Sequence, residues 1–360
     1  MNGEVFADLR PVVRKLVSRM NLSEDEVRGS MSLILGGKVS EAAIASFLVA
    51  LRMKGESPEE ISTILKAIKS NAIKITPNIT GRLVDTCGTG GDTIKSYNIS
   101  TAAAIIACAA GCKVAKHGNR SITGFCGSAD FLDSIGMDLD TSPEVIREAI
   151  ENIGFGFLYA PKFHPAMRRV ASARECVGIR TVFNIVGPLS NPCTNLSGQL
   201  VGVYEPSLLE TVAVAMKNTD LAELMIVHSF DGFDELSNTC ENDIIWISDG
   251  KIKRRRLHPK DVNVLIARPE QLLIHSAEES IRDTLQVIYG LATPEKEGIA
   301  AMNAAAALVI GKIAKDLKEG VGIARATINE GTPQKKLSEL IRSCGNRNKL
   351  IEAEQKFHLV

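Results

Sequence analysis

The amino-acid sequence predicts an α/β fold: a small N-terminal helical domain plus a large domain with a mainly parallel central sheet flanked by helices. Three observations predict it. The opening stretch carries only helical patterns. From Arg82 onward short apolar runs alternate with helices, and glycine-rich turns close successive apolar runs.

The helical opening is marked by its start signals. Ser23-Glu-Asp-Glu26 has the form of a capping box, in which hydroxyl and carboxylate satisfy free N–H groups of the first turn. Between Val39 and Lys54, residues Ala43, Ile44, Phe47 and Leu51 share one helical face. Ser57-Pro-Glu-Glu60 is another start, with proline at the first position and acids beside the positive dipole end. The helical domain is therefore expected over residues 1–76, joined by a helical segment near 172–195, and the α/β domain over 77–360.

In the larger part, Leu83-Val84 reads as the first strand, Val114-Ala115 as the next and Phe155 to Ala160 as another. Leu200 to Val203, Leu224 to His228 and Ile244 to Ile247 complete the expected sheet. Helices are expected at Thr101 to Ala110, at Leu208 to Lys217, and at Ile299 to Lys315, where an alanine-rich run covers the sheet. Helical crossovers between strands favour parallel pairing.

Composition excludes several roles. Lys+Arg and Asp+Glu each total 42, so the chain lacks the basic excess that nucleic-acid or anionic-membrane surfaces use. The basic run Lys253 to Arg256 reads as a solvated strand end. No apolar stretch approaches the roughly 20 residues that span a bilayer, and no signal peptide is expected from Met1 to Glu4, which lack a basic segment followed by an apolar one. The 8 cysteines form no CxxC pair and no zinc spacing with histidine, so reduced thiols in a cytoplasmic protein are expected.

Chemistry concentrates in the turns. In Asp85-Thr-Cys-Gly-Thr-Gly-Gly-Asp92, closely spaced glycines let backbone N–H groups approach an anion. The turn is not a GxxxxGK[ST] loop, and Thr93 at the third position breaks the GxGxxG fingerprint. Asn98-Ile-Ser-Thr101 opens the next helix; Ser100 or Thr101 can cap it, and its N-terminus suits a phosphate. Lys116-His-Gly-Asn-Arg-Ser121 places two cations about a glycine, an arrangement suited to a diphosphate, and Gly127-Ser-Ala-Asp130 begins another helix. Three such turns predict one crevice at the carboxyl edge of the sheet.

In this order the motifs resemble those of the anthranilate phosphoribosyltransferases. The resemblance continues through Phe163-His-Pro-Ala-Met167, Arg174, the stretch Gly178 to Pro192, and Asp231-Gly-Phe-Asp-Glu-Leu-Ser237. Ala50 to Glu56 is similar to the family's helical domain. The resemblance implies a nucleoside-phosphorylase-like fold, usually a homodimer packed through the helical domains. It also implies transfer of phosphoribose from phosphoribosyl diphosphate (PRPP) to the amino group of anthranilate, an early step toward tryptophan.

Residue by residue, it implies PRPP contacts from Gly88, Gly91, Asp92, Ser96, Asn98, Ile99, Ser100 and Thr101. Lys116, His117, Gly118, Asn119, Arg120, Ser121, Ile122, Thr123 and Gly124 would join them, with Ser128 nearby. Ser100 would ligate one Mg²⁺ and Asp234 with Glu235 a second, so two ions are expected. Gly88, Asn119 and Arg174 would bind anthranilate. Asn119, Arg174 and His117 form the expected catalytic group. His117 is read as a positioning residue, because Lys116 beside it disfavours its protonated form.

The residue types suit these implied roles. Adjacent carboxylates supply hard oxygen ligands for Mg²⁺ shared with phosphates, and the planar fork of arginine matches a carboxylate. The chain departs from the family at Ser121-Ile-Thr-Gly-Phe-Cys126, where the family is usually serine-rich and often carries lysine, and at Ser96, where threonine is common. Two alternatives remain: a pyrimidine-nucleoside phosphorylase, whose Lys-His-Ser-Thr-Gly-Gly turn is absent here, and a non-catalytic relative that binds nucleic acid, which neutral charge opposes.

Overall fold

Among the described residues four helices come first: α1 (Arg10–Val17), α2 (Glu24–Leu35), α3 (Glu41–Lys54) and α4 (Pro58–Ser70). The computed structural model describes residues 8–90, 94–121, 124–217, 219 and 221–359. Both anticipated capping boxes form, at Ser23 with Glu26 and at Ser57 with Glu60. Glu60 is buried and also takes the Leu22 N–H at 2.9 Å and the Lys54 ammonium at 2.7 Å. Removing either partner would leave a buried charge uncompensated.

Among the described residues seven strands follow: β1 (Leu83–Gly88), β2 (Lys113–Gly118), β3 (Phe155–Tyr159), β4 (Gly198–Gly202), β5 (Glu223–Ser229), β6 (Asn242–Ser248) and β7 (Lys251–Leu257). They form one sheet in the order β3-β2-β1-β4-β5-β6-β7. The strands from β1 to β5 pair in parallel, and β6 and β7 pair antiparallel. The sheet is mainly parallel, as expected. The basic run read as a strand end lies inside a full edge strand, whose exposed cations discourage further pairing.

Between and after the strands lie α5 (Ile99–Ala109), α6 (Ser128–Ser134), α7 (Pro143–Asn152), α8 (Ala160–Phe163), α9 (Arg168–Val177), α10 (Val182–Leu189) and α11 (Pro206–Met216). The chain ends in α12 (Ala277–Ile288), α13 (Pro294–Ile310), α14 (Leu317–Asn329), α15 (Thr332–Cys344) and α16 (Arg347–Lys356). Two apolar clusters sandwich the sheet. Met225 and Val227 of β5 join α5, α13 and α15 on one face; Leu224 and Ile226 join α10, α11 and the first four helices on the other. The period of two along a strand divides them. Helix α13 begins earlier than expected, at Pro294, stops at Gly311, and is buried all round from Gly298 to Ile310. Helix α9 packs on α2 and α3, and α10 on α3 and α4.

Among the described residues no helix is long and apolar enough to cross a membrane. All the cysteines are free thiols, as expected.

Candidate active site

Strand β2 lies on one side of β1 and β4 on the other, so the chain changes direction about β1 and leaves a crevice at its carboxyl end. A cavity of about 580 Å³ opens there. It gathers Gly88, Ser96, Asn98, Ile99, Ser100, Lys116, His117, Gly118, Asn119, Arg120, Ser121, Gly124, Ser128, Arg174, Asp234 and Glu235. Gly91, Asp92, Ile122 and Thr123 lie outside the described residues. Thr101 does not line the cavity: it is fully buried in the first turn of α5.

Strand β1 is longer than the sequence suggested, and this alters the glycine turn. Asp85 to Gly88 belong to the strand, and Asp85 is wholly buried, accepting from the His117 N–H at 3.1 Å and Gln199 Nε2 at 2.9 Å. Burial, opposed chiefly by the Lys116 charge, raises its carboxyl above the usual range. Asp85 therefore organises the sheet, and the part of this motif that lines the cavity begins at Cys87.

The capping expectation at α5 also changes. Its N-cap is Asn98, whose side-chain amide instead donates to Ser280 Oγ at 3.1 Å and Cys126 Sγ at 3.5 Å. Ser100 in the first turn accepts from the Lys116 ammonium at 3.1 Å, and that ammonium also donates to the Thr86 carbonyl at 2.7 Å. No carboxylate among the described residues forms an ion pair with Lys116. A buried cation and a positive helix end thus converge on one point, a combination that favours a bound anion. Burial shifts Lys116 downward, with Asp85 the largest opposing influence.

Arg120 is occupied differently from the expectation. Its guanidinium pairs with Asp130 at 2.9 Å and Asp133 at 2.7 Å, both on α6. Asp130 also accepts from the Ser121 and Gly127 N–H groups, each at 2.9 Å, so the start of α6 is already served by its own carboxylate. The two cations flanking Gly118 are therefore unequal, and Lys116 is the one beside the α5 terminus.

On another wall, Asp234 is buried and accepts the Gly90 N–H at 2.6 Å. A side chain on Gly88 would place its Cβ 2.2 Å from Asp234 Oδ2, and one on Gly202 would lie 1.5 Å from the Asp234 carbonyl oxygen. Glycine is required at both strand ends because the acidic turn rests on them. No three His, Cys, Asp or Glu side chains cluster as a metal site among the described residues. A two-carboxylate turn fits Mg²⁺ that completes its shell with phosphate and water oxygens. A cation at Ser100 would sit beside the Lys116 ammonium, and fits only as counter-charge to a bound phosphate.

Arg174 reaches the cavity from α9, its guanidinium 5.7 Å from the Phe183 ring centre, and burial lowers its pKa. His117 and His164 are buried with ring centroids 5.0 Å apart. Burial first, then His164 and Lys116, holds His117 well below the usual histidine value; burial likewise lowers His164 to about 4. His117 is thus neutral, for a larger reason than the adjacent lysine. Sequence reasoning left His164, Lys95, Arg168 and Arg180 without roles, yet all line the cavity. His164 and Arg180 stand inside motifs already singled out, which was the available signal.

A mainly parallel sheet with a buried cation and a helix N-terminus at its switch point, facing an acidic turn, has the construction of a phosphate-handling transferase. The "Glycosyl transferase family, a/b domain" matches residues 80–334, and the "Glycosyl transferase family, helical bundle domain" matches residues 10–72. An anthranilate phosphoribosyltransferase of Acetivibrio thermocellus is 40% identical over 333 residues, covering 92% of this chain and 96% of the relative. The solved anthranilate phosphoribosyltransferase of Thermus thermophilus superposes with a TM-score of 0.85 at 36% identity, covering 92% of this chain and 98% of that one. The Saccharomyces cerevisiae enzyme in complex with PRPP and Mg has a TM-score of 0.85 at 26% identity, covering 93% and 97%. The same yeast enzyme has been solved with 4-fluoroanthranilate. The chain belongs to the anthranilate phosphoribosyltransferase family.

Proposed function

We propose that this protein transfers 5-phosphoribose from PRPP to the amino group of anthranilate, giving N-(5-phosphoribosyl)anthranilate and diphosphate, in tryptophan biosynthesis. The observation that carries the reading is the convergence of the Lys116 ammonium and the α5 N-terminus beside Ser100, in the cavity that also holds Asp234, Glu235 and Arg174.

In this reading Gly88, Ser96, the segment 98–101 and the stretch 116–124 hold PRPP, with Gly91 and Asp92 in the same turn and Ser128 nearby. Thr101, buried away from the cavity, contributes through its position in the first turn of α5. Asp234 and Glu235 would hold one Mg²⁺ and Ser100 another. Bound Mg²⁺ neutralises diphosphate charge and so improves the leaving group.

The chain's own residues do the rest. Lys116 and the α5 N–H groups attract the departing diphosphate, so the C1–O bond breaks with the electron pair going to oxygen. The arylamine attacks the ribose carbon from the opposite side and then loses a proton to the released diphosphate or to water. Arg174 and Asn119 orient the acceptor, and neutral His117 positions it without acting as a base. Catalysis rests on alignment and electrostatics.

A homodimer through the helical domains and a cytoplasmic location complete the proposal. Exposed Val17, Met20 and Met53 supply apolar surface for such pairing, which sedimentation would test. The activity is tested by following anthranilate fluorescence after mixing with PRPP and Mg²⁺. A PRPP-dependent loss is expected. No loss beside an active relative would overturn the reading, and phosphate-dependent cleavage of a pyrimidine nucleoside would favour the phosphorylase alternative.

A further inference from the structure

Helix α13 is alanine, leucine, isoleucine and valine along most of its buried length, with one amide among them, Asn303, which is fully buried. Burying an amide in such surroundings is unfavourable unless its hydrogen bonds are made. Those of Asn303 go to one place outside the helix. Its Oδ1 accepts the Leu236 N–H at 3.0 Å, and its Nδ2 donates to the Leu236 carbonyl at 2.9 Å; the second Nδ2 proton goes to the Ile299 carbonyl at 2.9 Å. Both backbone groups of Leu236 are thereby held by one side chain, in the two-way manner of paired residues in an antiparallel ladder. Leu236 directly follows Asp234 and Glu235.

A second link runs between the same two elements. Asn238 Nδ2 donates to the Glu295 carbonyl in the first turn of α13 at 2.9 Å. Helix α13 itself is packed against α5 and β4. The acidic turn is thus referred to a rigid buried helix and not only to its own loop.

We infer that Asn303 is a positioning residue for the metal-holding turn: its amide clamps the Leu236 backbone and so sets where the Asp234 and Glu235 carboxylates stand. The inference rests on the reading of those carboxylates as metal ligands. Supporting groups one shell out from a metal change its affinity by about 10- to 100-fold when removed.

The test is Mn²⁺ binding to the PRPP-loaded protein, followed by electron paramagnetic resonance, with the thermal midpoint and the KM for anthranilate measured alongside. Asn303→Ala is expected to weaken Mn²⁺ binding by about 10-fold while the KM for anthranilate at saturating metal stays within about twofold. Met302→Ala, a truncation of the neighbouring buried residue, reports destabilisation alone and should leave Mn²⁺ affinity unchanged. Asn303→Leu, of similar volume and without charge, removes both clamp bonds and serves the same test if the alanine variant does not fold. Unchanged Mn²⁺ affinity in a folded Asn303 variant, with affinity lost in Asp234→Asn, would overturn the clamp. Unchanged affinity in Asp234→Asn with Glu235→Gln would instead overturn the ligand assignment, and the clamp's purpose with it.

Discussion

The acidic turn and the arginine helix, two walls of the same cavity, are built in opposite ways. The turn from Asp231 to Ser237 is held by polar bonds. Asp231 accepts the Phe233 N–H at 3.3 Å and the Ser237 hydroxyl at 2.7 Å, Asn242 accepts the Ser237 N–H, and Asn303 holds Leu236. Helix α9 is held mainly by packing: Val170 and Ala173 are fully buried against the helical domain, and Arg174 has the Phe183 ring beside it. The Arg169 bond to the Leu35 carbonyl and the Ser172 bond to Glu41 add to this packing. Directional bonds fix a position closely, whereas apolar packing tolerates small shifts. The end of the cavity that would handle diphosphate and metal is therefore rigid. The end that would receive the flat acceptor takes its shape from packing within one apolar cluster, which α9 and α10 share with the first four helices.

The largest expected effect comes from stripping the charge of the rigid wall. Asp234→Asn with Glu235→Gln should lower turnover about 1000-fold at limiting Mg²⁺, or about 4 kcal/mol, partly recovered at high Mg²⁺. Unchanged Mg²⁺ dependence in steady-state assays would remove the metal from this wall.

Next is the junction between the walls, where His117 on β2 meets His164 just before α9. Each imidazole gains a proton below about 6.5 in the unfolded chain but is held neutral by burial in the fold. Their contribution to stability is complete above that pH and is lost as pH falls, for His164 between about 6.5 and about 4. Across that window His164 accounts for about 3 kcal/mol, so His164→Gln should flatten the fall of the thermal midpoint with acid. Parallel curves for the two proteins would refute its buried neutral state.

On the packed wall, Arg174→Lys keeps the charge but loses the planar fork. The KM for anthranilate should rise about 30-fold, near 2 kcal/mol, with the KM for PRPP nearly unchanged. Equal rises in both would mean that Arg174 serves PRPP. The smallest effect is expected at Phe125, which lines the cavity mouth while 49% exposed. Phe125→Ala should change kcat/KM by less than about threefold, since an exposed ring contributes little packing. A larger loss would make this departure from the family functional.

Much of the site was legible because glycine spacing, helix starts and strand ends are local patterns. Gly88, Ser100, Lys116 and Asn119 were singled out by such patterns and Asp234 by the family resemblance, and each lines the cavity. Local patterns do not reveal a side chain's direction where it depends on distant partners. Thr101 reads like Ser100, but one residue later on α5 its side chain points into the core. Arg120 reads like Lys116, but α6 brings two carboxylates to it. Asp85 belongs to the same motif as Gly88, yet Gln199 and the His117 backbone claim it.

The sequence alone determined the element types and the mainly parallel sheet, because periodicity, capping and turn chemistry act over a few residues, and it carried the family through the motifs it resembles. The tertiary structure decided which polar groups remain available to a ligand. Asp85 and Arg120 are engaged within the protein, whereas Lys116 meets a helix terminus with no carboxylate ion-paired to it among the described residues. Only the packed structure could bring Asn303 to the acidic turn across 67 positions of chain. Hydrogen bonding and desolvation depend on neighbours in space, and those are set when the two apolar clusters close around the sheet.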